Sequence, residues 1–176
     1  MATFDRFRLS GVELEPLDAV GYRSQALGFD PRSGEGARRA GGRYNPPRSF
    51  PVIYLCLTRP CVVAELRTQA VRQNIYVSDL LPRELWSIAT SLERVLDLTD
   101  VGVLASLDVD AEALVRPDHA FTQQMGEAGH ERGIQAIRSR SATGVDEVLA
   151  VFPENFGAAT LQVELIQVWS SEDDLT

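Results

Sequence analysis

The sequence predicts an α+β fold built as a single domain over residues 1–176. Segments with strand composition lie before and after a helical centre, without the regular strand–helix alternation of parallel α/β proteins. A length of 176 residues matches one domain with a substantial buried core. The apolar fraction of 44% and the charged fraction of 24% are typical of ordinary globular domains, so the composition supports this interpretation.

The composition also excludes several classes of function. The formal net charge is −8, which disfavours direct binding of this chain to nucleic acid or to an anionic membrane. All 17 basic residues are arginine, so no lysine is available to form a Schiff base with a substrate. No stretch is apolar enough to span a bilayer, and the charged N-terminal segment is unlike a signal peptide.

Two cysteines and two histidines are the candidate soft metal ligands. Cys56 and Cys61 lie in or beside an apolar run, which predicts buried free thiols and a reducing, cytoplasmic location. His119 and His130 lie far along the chain from both cysteines, and their spacing matches no zinc motif. We therefore expect no metal centre.

The first half of the chain predicts two strands and one long helix. A short strand runs through Tyr22 into a polar, glycine-rich loop over residues 28–42, which we expect to be mobile. Residues 51–57 alternate between two apolar faces, as in a buried strand. Residues 58–73 predict a helix, because Pro60 suits its first turn and an apolar stripe follows at helical spacing.

The second half predicts a helical centre followed by strands. Residues 84–98 have strand composition with a break in the middle, and residues 101–115 predict one or two short helices. Residues 119–133 predict a helix that ends at Gly133. Further strands are expected at residues 134–140, 147–153 and 160–169. In the last of these, apolar residues alternate with polar ones, so one face bearing Leu161, Val163 and Leu165 should be buried.

Two side chains around a glycine-rich corner are candidate ligand contacts. Arg43 follows Gly41 and Gly42, where the absence of side chains lets a backbone or a ligand approach closely. Its guanidinium can hold phosphate or ribose oxygens, or Arg43 is a surface arginine beside a turn. Tyr54 lies on one face of the strand at 51–57, where its ring either packs in the core or forms the wall of a pocket for a flat ring.

A glutamate and a serine are the other candidates. Glu65 lies beside the apolar stripe of the predicted helix, where a carboxylate needs a partner. Arg43 is one candidate, in a structural ion pair; alternatively Glu65 faces a sugar and stabilises positive charge at its anomeric carbon. Ser141 ends a strand, where it either caps a turn or belongs to a site. Motifs of the GxSxG, GxGxxG and P-loop types are absent, which disfavours an α/β-hydrolase, a Rossmann dehydrogenase and a P-loop NTPase.

Taken in order, these residues resemble the RES domain family, which is named for an arginine, a glutamate and a serine. The matching motifs are GGRYNPP with Arg43, VIYLCL with Tyr54, AEL with Glu65 and RSATG with Ser141. The segments FTQQMGEA, LDLTD and VLAVFPEN also look like this family, and the resemblance covers about residues 20–170.

The chain departs from the family pattern at one position and offers two matches at another. The family more often has tryptophan where this chain has Tyr44, and both side chains are aromatic. Ser139 lies one strand step before Ser141 and competes with it as the family serine.

The resemblance implies a fold similar to that of ADP-ribosyltransferases of the diphtheria-toxin kind, with a split antiparallel β core flanked by helices. It implies a toxin of a bacterial toxin–antitoxin pair that cleaves the nicotinamide–ribose bond of NAD by hydrolysis or phosphorolysis. NAD is then the substrate, and inorganic phosphate is the second substrate of phosphorolysis. Two alternatives stay open: a mono-ADP-ribosyltransferase that modifies a cellular protein, and a non-catalytic binding module.

The resemblance also implies a partner and residue roles. The partner is an antitoxin with an Xre-like helix-turn-helix domain, whose C-terminal part blocks the active site, and a homo-oligomer of the toxin can form within that complex. The implied catalytic residues are Arg43, Tyr54, Glu65 and Ser141. The implied NAD-binding residues are Arg23, Tyr44, Arg43 and Tyr54. In this interpretation the loop at 28–42 closes over the bound NAD.

Overall fold

The computed structural model describes residues 3–157 and 160–176, and within them it contains six β-strands and four α-helices. The strands are β1 (Glu15–Ala26), β2 (Ile53–Cys56), β3 (Arg83–Asp97), β4 (Ala136–Arg140), β5 (Glu147–Val151) and β6 (Gln162–Trp169). The helices are α1 (Glu35–Ala40), α2 (Arg59–Gln73), α3 (Val101–Leu107) and α4 (Ala120–Glu131). Short 3₁₀ helices lie at Arg6–Gly11, Val77–Leu80, Ala111–Leu114, Pro153–Asn155 and Glu172–Asp174. The predicted mixture of strands and helices without regular alternation is confirmed.

All six strands belong to one sheet that curls back on itself. Its order is β1-β2-β5-β4-β3-β6, and β1 also pairs with β3. The contact between β1 and β2 is the single register pair Tyr22–Cys56, which closes a ring of five strands. The pairings are antiparallel except for β3 with β4, which run parallel. The antiparallel pairing expected for a split β core is thus interrupted at this one junction.

Strand β3 is the longest element and joins the two halves of the sheet. It pairs with β1 over nearly its whole length, with β6 over Arg83–Ala89 and with β4 over Val95–Asp97. The sequence predicted a break in this segment, but β3 is continuous. Pairing with β1 supplies the backbone hydrogen bonds along its length and so overrides the weak local strand signal.

Strand β6 does not bury its apolar face as predicted. Leu161 is buried and Val163 is half-buried, whereas Leu165 is 45% exposed. A register shift between Leu85 and Trp86 of β3 interrupts the pairing, and of the described strands only β3 pairs with β6. An edge strand with an irregular register does not keep one face directed at the core over its whole length.

Helix α2 covers the sheet beside the junction of β1 and β2. Its buried residues are Cys61, Val62, Leu66 and Ala70. The first three belong to a cluster that includes Leu85 of β3 and Trp169 of β6. The predicted helix and its apolar stripe are confirmed. In the described residues no helix has the length and apolar character needed to cross a bilayer.

The segment at 28–42 is not a structureless loop, because residues Glu35–Ala40 form α1. Side chains outside it also bond to it. Arg23 donates to the carbonyl oxygens of Pro31 and Ser33 at 3.0 and 2.8 Å. Within it, Arg32 donates to the carbonyl of Leu161 at 2.9 Å. These contacts anchor the segment to the start of β6 and to β1.

Candidate functional site

A cavity of about 610 Å³ lies where β1, β2, α1, α2 and α4 meet. Its charged lining residues in the described part of the chain are Glu65, Arg23, Arg43, Arg72 and Arg83, and His119 also borders it. Five of the six predicted site residues, Arg23, Arg43, Tyr44, Tyr54 and Glu65, thus line one cavity although they come from different parts of the fold. A concave site of this size with convergent polar groups is typical of a ligand-binding pocket.

The corner GGRYN is held together by Tyr54 and Asn45. The Tyr54 hydroxyl accepts from the Tyr44 backbone N–H at 2.9 Å and donates to Asn45 Oδ1 at 2.8 Å. The buried Asn45 amide donates to the carbonyl of Ala37 at 2.8 Å, which ties the corner to α1. A Cβ at Gly42 would lie 2.5 Å from the Tyr54 hydroxyl, so a side chain there would collide with the ring. Glycine at 42 is thus required by this close packing.

Tyr54 therefore combines both roles that its position suggested. Its hydroxyl holds the corner, while its half-buried ring contributes to the cavity wall. Burial raises the pKa of Tyr54, so the phenol is neutral across the physiological range and keeps its donated hydrogen bond.

Arg43 is held by backbone carbonyls and not by Glu65. Its Nη1 donates to the carbonyl oxygens of Leu114 and Arg116 at 2.8 and 2.9 Å. No salt bridge joins Arg43 to Glu65 in the described structure, so the structural ion pair offered as one explanation of Glu65 is wrong. Burial lowers the pKa of Arg43, but a guanidinium stays charged near neutral pH. Its charge is therefore available to a ligand.

The hydrogen-bond partner of the Glu65 carboxylate is Ser141. The Ser141 hydroxyl donates to Glu65 Oε1 at 2.8 Å across 76 positions of sequence. The Thr143 hydroxyl lies 2.6 Å from Ser141 Oγ and its backbone N–H donates to the same oxygen at 3.1 Å. The Ser141 hydroxyl has one hydrogen and donates it to Glu65, so in its bond with Thr143 it is the acceptor and the Thr143 hydroxyl is the donor. Ser141 is buried behind Glu65, so it orients the carboxylate from the protein side.

Ser139 occupies a different environment from Ser141. It is fully buried, and its hydroxyl makes no well-formed hydrogen bond. Only Ser141 contacts Glu65, so the geometry favours Ser141 over Ser139 as the serine of the site.

Tyr44 is a core residue that borders the cavity. Its side chain is fully buried, and its hydroxyl lies near that of Ser139 without forming a well-formed hydrogen bond. Burial raises the pKa of Tyr44 to about 12. The corner packs this side chain inward against the core, so its ring has no exposed surface, and the contact of Tyr44 with NAD stays a prediction.

Arg23 and Arg83 form a cationic pair on the β1–β3 wall of the cavity. Arg83 donates through Nε and Nη2 to the hydroxyl and carbonyl oxygens of Ser24, the neighbour of Arg23. Arg23 is fixed by its bonds to the 31–33 segment. Burial, with the Arg83 charge as a smaller cause, lowers the pKa of Arg23, and burial lowers that of Arg83.

The two cysteines are free and buried, as predicted. Cys56 at the end of β2 touches Cys61 in the first turn of α2 and lines the cavity. The hydrogen bond with Cys61 and burial raise the pKa of the Cys56 thiol. Cys56 is therefore a neutral, weakly nucleophilic part of the wall.

Sequence reasoning missed Arg72, Arg83 and His119. One signal was available for Arg72, because Glu65, Gln69 and Arg72 fall on the same face of a helix and all three line the cavity. His119 and Arg83 reach the cavity through tertiary packing, and no local pattern indicates this. Burial first, and then the charges of Arg43 and Arg72, lower the pKa of His119.

The lining of the cavity indicates the class of ligand that this protein binds. Four arginines and one carboxylate line a cavity in a chain whose net charge is −8. Concentrated guanidinium groups in an acidic protein indicate a binding site for a phosphorylated or otherwise anionic ligand. The single lining carboxylate, held by a serine, supplies a group able to stabilise positive charge on that ligand.

The chain belongs to the RES domain family. The model of that family, described as the RES domain, matches residues 20–172. The NAD(+) phosphorylase MbcT of Mycobacterium tuberculosis and that of Mycobacterium bovis are each 29% identical to this chain over 144 residues. The match covers 81% of this chain and 77% of each relative.

A solved structure resembles the whole fold. A chain in the crystal structure of the MbcT–MbcA toxin–antitoxin complex of M. tuberculosis superposes with a TM-score of 0.82 at 26% sequence identity. The superposition covers 94% of this chain and 91% of that one. The family predicted from the four motifs is confirmed.

Proposed function

We propose that this protein is the toxin of a toxin–antitoxin pair and degrades NAD by cleaving its nicotinamide–ribose bond, with inorganic phosphate as the acceptor. The observation that carries the proposal is Glu65, the one carboxylate among the described cavity residues, held by Ser141 amid four arginines. Membership of the RES family supports it. So do the relatives named NAD(+) phosphorylase, at 29% identity over most of both chains.

The chemistry needs charge stabilisation more than acid catalysis. Nicotinamide leaves as a neutral ring, because the electron pair of the breaking C1′–N bond neutralises its positive nitrogen. An oxygen of hydrogen phosphate forms the new bond to C1′. The products are nicotinamide and ADP-ribose phosphorylated at that same carbon. With the dianion HPO₄²⁻ no proton has to be removed. The demanding species is the oxocarbenium-like ribose between the two bonds, which a carboxylate stabilises.

Each residue near Glu65 then has a role. Glu65 bonds to ribose hydroxyls and stabilises the developing positive charge, and Ser141 fixes its orientation. Arg43 donates its remaining N–H groups to ribose or diphosphate oxygens. The Tyr54 ring packs on nicotinamide, and Arg23 binds the diphosphate. Tyr44 supports the corner from the core.

We also assign the fold to the ADP-ribosyltransferase-like class and treat the chain as one RES domain. In support, the strands fall into two antiparallel sets, β1-β3-β6 and β2-β5-β4. The sets meet at the parallel β3–β4 junction and at the Tyr22–Cys56 pair, which matches a split core. The cavity lies beside the second junction, where two sets of strands present side chains to the same space.

We propose that the partner is an Xre-like antitoxin that covers the cavity in the cytoplasm. Support comes from the toxin–antitoxin complex whose chain shares this fold with a TM-score of 0.82. An acidic toxin surface leaves any DNA binding by the complex to the partner.

The test is NAD consumption by the purified protein with and without phosphate, followed by separation of the products. We expect NAD loss that depends on phosphate, with free nicotinamide and ADP-ribose phosphate as products. Glu65→Gln should lower kcat at least about 100-fold while the fold is retained, because the amide oxygen still accepts from Ser141 but carries no charge.

The exposed Glu127 of α4 provides a matched control. Glu127→Gln removes the same charge outside the cavity and should leave turnover unchanged. Near-normal turnover by Glu65→Gln would overturn the mechanism. Label from NAD that stays on protein after denaturation would favour an ADP-ribosyltransferase in place of a phosphorylase.

A further inference from the structure

Several arginines of the described chain form no salt bridge with a carboxylate, and all four that line the cavity are among them. Among the described residues, Arg6, Arg8, Arg38 and Arg138 each form a salt bridge with a carboxylate. No such salt bridge involves Arg23, Arg43, Arg72 or Arg83 within residues 3–157 and 160–176. Uncompensated guanidinium groups around one cavity oppose one another electrostatically, and a bound oxyanion relieves that repulsion.

These cations fall into two groups on different walls. Arg23 and Arg83 lie on the β1–β3 wall and are fixed by carbonyls of the 31–33 segment and by Ser24. The second group consists of Arg43, Arg72 and His119 and lies between α2 and the start of α4.

Hydrogen bonds hold the corner that carries Arg43 against the start of α4. Arg43 donates to the carbonyls of Leu114 and Arg116, which directs its guanidinium to the segment that ends at His119. Gln123, one helical turn beyond His119, donates to the carbonyl of Gly42 at 2.9 Å. The wall of α4 and the corner that carries Arg43 are thus locked side by side.

Helix α2 contributes the opposite side of this group. Glu65 and Arg72 lie on one helix face, with roughly 10 Å of axial rise between them. Arg72 is solvent-exposed in the last turn of α2 and still borders the cavity, so it stands at the mouth. An anion held there has access from solvent while a larger ligand occupies the interior. The charges of Arg43 and Arg72 also lower the pKa of His119, in agreement with their proximity.

The proposed reaction has two separate oxyanions, the diphosphate of NAD and the acceptor phosphate, and the cavity has two separate cationic groups. We propose that Arg72 and His119, beside Arg43, form the subsite for inorganic phosphate, while Arg23 and Arg83 hold the diphosphate of NAD. The acceptor must reach the ribose carbon that Glu65 faces, and only the second group continues along the helix face that carries Glu65. This assignment rests on the proposed function and extends it to the acceptor.

The test compares the effect of each substitution on KM for phosphate with its effect on KM for NAD. Arg72→Gln should raise KM for phosphate at least about tenfold, since it removes a charge-assisted hydrogen bond to the acceptor. KM for NAD should stay within about twofold of the wild-type value. His119→Gln should raise KM for phosphate by a smaller factor, because a neutral donor is replaced by another. Arg67→Gln removes an exposed arginine outside the cavity from the same helix and should change neither constant.

Two outcomes would overturn the assignment. One is a raised KM for NAD with an unchanged KM for phosphate in Arg72→Gln, which would place the diphosphate at this group. The other is unchanged constants for both substrates in the Arg72→Gln, His119→Gln double variant.

A binding measurement separates this inference from the proposed function. If wild-type protein consumes no NAD at any phosphate concentration, the proposed function fails, but phosphate binding can still be measured by ³¹P NMR line broadening of inorganic phosphate. The subsite predicts equal broadening with wild type and with Arg67→Gln, and clearly weaker broadening with Arg72→Gln, in which only the group of Arg23 and Arg83 is intact. Equal broadening by wild type and by the double variant would overturn the subsite without reference to catalysis.

Discussion

At the scale of single residues, the site depends on a few long-range hydrogen bonds. Glu65 is oriented by Ser141, and Arg43 by two main-chain carbonyls in the 114–116 segment. Neither side chain is neutralised by its partner. The carboxylate and the guanidinium therefore keep their charges for a ligand, while their positions are fixed in advance, as catalysis by charge stabilisation requires.

Ser141 offers the first test at this scale. We expect Ser141→Ala to lower kcat for NAD cleavage by roughly 10- to 100-fold, since a hydrogen bond to a charged group is worth about 1.5–3 kcal/mol. KM for NAD should change less, because Ser141 acts through Glu65 and is buried behind it. Steady-state kinetics of the folded variant measure both constants.

Ser139→Ala is the matched control for Ser141→Ala. The buried Ser139 hydroxyl has no well-formed hydrogen bond, so its removal should leave kcat unchanged and stability unchanged or slightly higher. Retained activity in Ser141→Ala together with lost activity in Ser139→Ala would reverse the assignment of the family serine.

At the scale of elements, the cavity exists because α4 packs directly on the corner that carries Arg43. Gly126 of α4 lies against the Tyr44 backbone, where a Cβ would meet the Tyr44 carbonyl oxygen. Gln123, one turn earlier, bonds to the Gly42 carbonyl. The segment FTQQMGEA therefore positions the corner through backbone contact, and this explains a glycine in the middle of a helix, where it is otherwise unfavourable.

The two glycines of α4 provide a prediction about this packing. Gly126→Ala should destabilise the protein by roughly 3 kcal/mol or more, because helix and corner must separate to admit the methyl group. Gly129→Ala should be neutral or slightly stabilising, since its new methyl would make an ordinary 3.4 Å contact with Ile134 and alanine favours the helix. Thermal unfolding followed by circular dichroism measures both, and equal Tm values for the two variants would contradict the packing argument.

At the scale of the whole molecule, an acidic protein encloses a basic cavity. The net charge is −8, whereas the described charged groups of the cavity comprise four arginines and one glutamate. The closed ring of five strands is what makes this separation of charge possible, because it brings side chains of β1, β2 and β3 to one space. The stability of this closed structure is linked to pH through the buried tyrosines beside the cavity.

Tyr44 makes that link measurable. Its pKa is raised by burial from 10.0 to about 12, so the unfolded chain releases this proton first as the pH rises. Stability should be unaffected by Tyr44 below pH 10 and should fall by roughly 2–3 kcal/mol as the pH passes from 10 to 12. Urea unfolding at a series of pH values measures this loss.

Tyr44→Phe is the control for the pH dependence. It removes the ionisable group and a buried hydroxyl without a well-formed hydrogen bond, so stability at pH 7 should be equal or slightly higher and the decline between pH 10 and 12 should be shallower. Tyr54 contributes part of the decline in stability that remains, because burial raises its pKa as well. An identical decline in both proteins would show that Tyr44 is not the responsible group.

Local patterns in the sequence were sufficient to predict the elements that carry Tyr54 and Glu65. The alternation at 51–57 predicted β2, and the stripe at 58–73 predicted α2. The corner motif and the spacing of Tyr54 and Glu65 indicated the family. These features depend on neighbours within a few residues, where the periods of strand and helix fix which side chains share a face.

Only the tertiary structure decided which partners hold the charged groups of the cavity and which further charged residues line it. Ser141 reaches Glu65 across 76 positions, and Arg43 bonds to carbonyls more than 70 positions away. The curling of the sheet and the packing of α4 bring in Arg83 and His119, which no periodic pattern marks. The sequence alone thus determined the family and indicated Glu65 as the proposed catalytic carboxylate, because motif spacing is local. The partners of that carboxylate and the second cationic group were decided by chain closure, because contacts between distant segments depend on the complete fold.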